Sequence, residues 1–155
     1  MKITIVATLM VTVAVGAISF AAGTAYRPAP TAASTSPVAA NWFTQGKAAL
    51  KAKDFAKAEK CFAEAARIEP NNPDTLNELA YSQRKQGKLD DAFANYGKAL
   101  KLRPRFPEAR EYLGEAHIQA ALREIDTLRS YGPDSKEELA DLTKALKDAA
   151  ASVKP

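Results

Sequence analysis

Only one cysteine, Cys61, and one histidine, His117, occur in 155 residues. A lone thiol closes no internal disulfide. Together the two residues fall short of a tetrahedral zinc site of the Cys/His kind. The chain has no glycine-rich phosphate loop, no nucleophile elbow and no paired-histidine metal motif. A non-enzymatic protein without cofactor or metal is expected. Concentrated charge is lacking too. Lys and Arg number 22 against 18 Asp and Glu, and no run of five like charges occurs. Nucleic-acid binders gather positive charge on one face or arm, so nucleic acid is not an expected partner. At 46% hydrophobic and 26% charged residues, the composition also excludes a wholly disordered or collagen-like chain.

One segment is short of charge altogether. Ile3 to Ala25 carries none, after Met1 and Lys2. It fits a secretory signal peptide, with small residues at Gly23-Thr24-Ala25 or Ser19-Phe20-Ala21 for cleavage. It also fits an uncleaved transmembrane anchor, since about 20 apolar residues span a bilayer. The small-residue cluster weighs toward cleavage. No twin arginine precedes the run, and no cysteine near residue 20 could take a lipid. Both readings place the remainder across a membrane, exported to the periplasm or tethered to the inner membrane facing it. Residues 26–40, which include Arg27-Pro-Ala-Pro and run on through Ser, Thr and Ala, lack the apolar area that ordering requires. They read as a flexible linker.

From Asn41 to 153 the chain repeats itself. A shift of 34 places Trp42 on Leu76, Gly46 on Ala80, Phe55 on Leu89 and Ala58 on Ala92. It also places Phe62 on Tyr96, Ala65 on Ala99, Ile68 on Leu102 and Pro70 on Pro104. Such a period predicts an all-α solenoid of helix-turn-helix units. Large residues act as knobs and small ones as the holes that let helix axes approach. Turns fall at Lys53-Asp54 and Gln86-Gly87-Lys88, where Gly87 can take the left-handed conformation that ends a helix. Pro70 and Pro104 stop the second helix of each unit. Asn71-Asn72-Pro73-Asp74 supplies a cap for the next.

The pattern resembles the tetratricopeptide repeat family: Trp-x2-Leu-Gly-x2-Tyr, then Ala-x3-Phe, then Ala and a closing Pro. Unit one, residues 39–72, has Trp42, Gly46, Ala58, Phe62, Ala65 and Pro70, with Gln45 and Ala49 departing from the pattern. Unit two, 73–106, has Leu76, Leu79, Ala80, Ala92, Tyr96, Ala99 and Pro104. A degenerate third unit, 107–133, keeps Leu113 and Gly114 and then loses register, because Ala120-Ala121-Leu122 contains no turn residue. One long helix from about 107 to 130 is expected there in preference to a short hairpin. Ser135-x-x-Glu138 has capping-box spacing. Leu139, Leu142, Leu146 and Ala149 form one stripe, so 135–153 reads as a C-terminal capping helix. Cys61 and His117 are both expected to be packed in the core.

The resemblance implies a concave groove lined by the first helix of each unit. Its positions fall on Phe43, Lys47, Leu50 and Lys51; on Asn77, Tyr81, Arg84 and Lys85; and on Glu111, Glu115, Ile118 and Gln119. The expected partner-binding residues are Phe43, Lys47, Asn77, Tyr81, Arg84, Lys85, Glu111 and Glu115. Tyr81 would pack a partner side chain and Arg84 would fork onto a carboxylate. A set of Lys and Asn that clamps C-terminal carboxylates in some family members is not matched, since Phe43 replaces the first Lys and Glu111 enters the third unit. The function expected is a protein-protein interaction module, an adaptor or assembly factor in a bacterial cell-envelope process. Its partner would be a protein or peptide, with the membrane as a further partner if the N-terminal segment stays uncleaved. The alternative is a self-associating scaffold built by stacked units.

Overall fold

The computed structural model describes residues 36–153. The uncharged segment 1–25 and most of the expected linker lie outside them. Six α-helices follow one another, each packed on the next: α1 (Pro37–Lys51), α2 (Phe55–Ile68), α3 (Pro73–Lys85), α4 (Leu89–Leu102), α5 (Pro107–Ser130) and α6 (Lys136–Ser152). The architecture is an all-α helical solenoid, and α3 also touches α5. Among the described residues no helix is long and apolar enough to cross a membrane.

The 34-residue period is visible as packing. Phe62 on α2 is fully buried against Gly46 on α1, and a Cβ at Gly46 would come within 2.6 Å of its ring. Ala49, Ala58 and Leu79 complete this cluster. Tyr96 on α4 sits equally deep with Ala80 and Ala92, and this cluster runs on through Phe106, Ala109 and Ala116. Small residues at both hole positions let ring and helix meet at van der Waals distance, which is where dispersion contributes most. Cys61 is buried, as a small apolar residue.

Local signals set the boundaries. The Asp54 side chain accepts from the Lys57 amide at the start of α2. Asn72 accepts from the Asp74 and Thr75 amides at the start of α3. Pro70 and Pro104 lie just past the ends of α2 and α4. Gly87 adopts φ 78° between α3 and α4.

Three expectations need correction, on the linker, on Ser135 and on His117. The linker does not reach Ala40: α1 begins at Pro37, whose fixed φ suits the first helical turn, and Ala39 is already buried. Ser135 does not cap α6. Its hydroxyl turns back and donates to the Leu128 and Gly132 carbonyls, closing a short 3-10 turn over Gly132–Ser135. Along the stripe on α6, Leu139, Leu142 and Leu146 are half-buried and Ala149 is exposed; no residue of α6 is fully buried. His117 is exposed, stacked on Phe93 with ring centroids 4.7 Å apart. Its register equivalents, Ala49 and Gln83, are buried beneath the second helices of their units. The third unit has no such helix, because α5 continues unbroken for 24 residues.

Candidate functional site

The first helices α1, α3 and α5 meet side by side, and ion pairs cross both junctions. Lys47 on α1 bonds to Glu78 on α3 at 2.7 Å. Arg84 on α3 bonds to Glu115 on α5 at 2.5 Å. Between them runs a row of rings. Phe55 and Tyr81 lie 6.4 Å apart edge to face, and Tyr81 and Tyr112 lie 4.9 Å apart. Tyr112 also approaches the buried Tyr96, at 6.5 Å.

Two cations sit on this row. The Arg84 guanidinium stands 5.3 Å from the Tyr81 ring and 5.7 Å from that of Tyr112. The Lys85 ammonium stands 5.6 Å from Phe55 and 6.0 Å from Tyr81. Each contact lies within the range where a ring quadrupole attracts a cation. Burial pushes the Tyr112 hydroxyl above the ordinary tyrosine range, and Glu78, Tyr81 and Glu111 add to the effect against the opposing pull of Lys47.

The expected site residues divide into two groups. Tyr81 is half-buried, while Lys47, Lys85, Glu111 and Glu115 are exposed. These can meet a partner. Arg84 is only 8% exposed and is already joined to Glu115, so it braces α3 against α5. Asn77 is 4% exposed and its Oδ1 makes no hydrogen bond. Phe43 turns into unit one, 5.4 Å from the ring of Phe62. Leu50 packs on that same cluster, whereas Lys51 and Ile118 are exposed and Gln119 is half-buried.

Sequence reasoning missed Glu78 and Tyr112. Both occupy the sixth position of their units, which Thr44 fills in unit one. The family resemblance directs attention to positions five, nine, twelve and thirteen. In the sequence Phe55 is a repeat residue paired with Leu89, and only the folded chain brings it beside Tyr81 across helices. Among the described residues no group of three or more His, Cys, Asp or Glu could hold a metal ion.

The fold and this ladder of first helices define a helical repeat protein with an aromatic and charged face. A family model described as TPR repeat matches residues 80–120. Two described as Tetratricopeptide repeat match residues 39–72 and 61–94. The chain belongs to the tetratricopeptide repeat family.

Curated relatives extend far beyond this chain. A TPR repeat-containing protein of Methanocaldococcus jannaschii is 34% identical over 61 residues, 39% of this chain and 11% of that protein. The STIP1 homolog of Dictyostelium discoideum is 29% identical over 126 residues, 70% of this chain and 21% of that protein. The chain thus matches 11% and 21% of the lengths of these two relatives. Solved structures share its fold. The TPR2B domain of yeast Sti1, in a complex with pHsp70, has a TM-score of 0.56 at 18% identity, covering 76% of this chain and all of that one. The Sgt2 TPR domain of Aspergillus fumigatus has 0.54 at 23%, covering 77% and 86%. The first TPR of Spaghetti (RPAP3), bound to the HSP90 peptide SRMEEVD, has 0.53 at 18%, covering 71% and 94%. At these identities the likeness is one of fold.

Proposed function

We propose that the protein is a non-enzymatic interaction module that binds a protein or peptide segment across α1, α3 and α5. The observation that carries this reading is the ring row Phe55–Tyr81–Tyr112, with Lys85 at one edge and Glu111 at the other. Aromatic faces supply contact area at low entropy cost, and the two exposed charges fix register. Two solved relatives of the same fold carry an HSP90 peptide or pHsp70, which supports a peptide-sized partner. Here Glu111 and Glu115 stand on α5, so the segment carries a basic as well as an apolar side chain. The uncharged run Ile3 to Ala25 supports export or tethering, and with it an adaptor role in a bacterial cell envelope.

Site-specific photo-crosslinking from position 85 in the native cell tests the reading. A heterologous adduct lost in the Tyr81→Ser variant, at unchanged helicity, is the expected result. Adducts to the protein itself alone would replace the adaptor by the self-assembling scaffold.

A further inference from the structure

The third unit is half a unit. Positions 46 and 80 are buried, each beneath the second helix of its own unit: a Cβ added to Gly46 would meet the Phe62 ring at 2.6 Å, and Ala80 lies in the cluster of Ala92 and Tyr96. Position 114 is their equivalent on α5. A Cβ placed on Gly114 meets nothing within 4 Å. Positions 49 and 83 are likewise covered, and their equivalent His117 is exposed. Along the same side of α5, Ile118 is 59% exposed and Leu122 is 50% exposed, at four-residue steps from Gly114. The last helix does not fill this place. It starts from Ser135, anchored on the Leu128 carbonyl, has no buried residue, and offers only Leu and Ala along its stripe.

We infer that the notch at Gly114 receives an amphipathic helix from a protein partner, which completes the third unit in trans. The internal repeat states what fits. Twice in this chain the slot is closed by an antiparallel helix with a small residue and an aromatic four positions later: Ala58 with Phe62, and Ala92 with Tyr96. The incoming helix continues that interface by one more layer. Its aromatic enters over Gly114, and its apolar side covers Ile118. Arg110 stands exposed where Trp42 and Leu76 stand in the other units. An antiparallel helix would end there, so its C-terminal dipole and an acidic last turn meet a cation. A second copy is a poor donor, since its aromatic-bearing helices are already engaged and its α6 carries no aromatic.

A synthetic peptide of residues 54–69, with Cys61→Ser and a fluorescent label, is the probe. It carries Ala58, Phe62 and a terminal Glu69. Fluorescence anisotropy on the full chain in detergent should show saturable binding. Gly114→Leu in the protein and Phe62→Ala in the peptide should each weaken it at least tenfold. Circular dichroism of Gly114→Leu should show undiminished helicity, because the added side chain meets open space. No binding by the peptide, or equal binding to the Gly114→Leu protein, overturns the inference. Concentration-dependent dimers of the parent chain that vanish in Gly114→Leu would also overturn it, in favour of a second copy.

Discussion

Lys53 and Gly87, 34 residues apart, end their helices with the same left-handed backbone, at φ 58° and 78°. The amides that follow also match. Asp54 donates to the Ala49 carbonyl and Lys88 to the Gln83 carbonyl, both at 2.9 Å. Only one of the two positions has the residue that suits this conformation.

A Cβ in the left-handed region costs roughly 1–2 kcal/mol. Lys53→Gly should therefore stabilise the protein by about 1 kcal/mol, once the added freedom of the unfolded chain is subtracted. Thermal denaturation followed by circular dichroism checks it. A lower midpoint than the parent's would contradict the strain argument.

The same substitution should act in opposite directions at two register-equivalent glycines. Gly46→Ala drives a methyl to 2.6 Å from the Phe62 ring, and such overpacking costs about 1–3 kcal/mol. Gly114→Ala meets nothing within 4 Å and gains helix propensity, about 1 kcal/mol. Urea denaturation of both variants beside the parent measures the two signs.

Glu59 gives the stability a pH dependence. Burial alone would raise its pKa, but hydrogen bonds from Lys88 and Gln86 and the charge of Lys88 together bring it below 4.5. A lowered folded-state pKa means that the stabilisation is present above the unfolded value and is lost as pH falls through the folded one. Acid titration of Glu59→Gln should show a shallower loss of stability below pH 4.5 than the parent. Parallel curves would remove Glu59 from the account.

Tyr96 acts at the other end of the scale. Burial pushes its hydroxyl far above the ordinary range, although the Arg84 cation pulls the other way. A raised folded-state pKa gives stability that is complete below the unfolded value of about 10 and is lost above it. The hydroxyl makes no hydrogen bond. Tyr96→Phe should thus stay within about 1 kcal/mol of the parent at pH 7, and should destabilise less above pH 10. A large loss at neutral pH would reveal a partner for the hydroxyl.

The period of 34 made the first two units legible, because knob, hole, turn and stop each recur on a residue of matching kind. The long α5 was legible too, since Ala120-Ala121-Leu122 offers no turn. Other features depend on neighbours that a one-dimensional reading does not see. Pro37-Val38-Ala39-Ala40 has the composition of a linker, yet Pro is also a first-turn residue and Ala a helix former. Ser135 has cap spacing, but the Leu128 carbonyl reaches its hydroxyl first. Arg84 matches a groove position by register, while Glu115 across the helix junction holds it in place. Tyr112 and Glu78 belong to the candidate site through a ring contact and an ion pair between helices, and the groove positions implied by the family pattern pass both of them over.

Resistance to opening is shared unevenly along this chain. With 24 residues, α5 is about 36 Å long, and its first half is held by the buried Ala109 and Ala116. Beyond Ile125 it supports α6, which buries no residue completely. Amide protons of α6 should therefore exchange with solvent faster than those of α1 to α4, through a local fraying that leaves the earlier helices intact. Denaturant or heat should release the C-terminal hairpin ahead of the rest, so the main transition and its midpoint belong to the stack of α1 to α4.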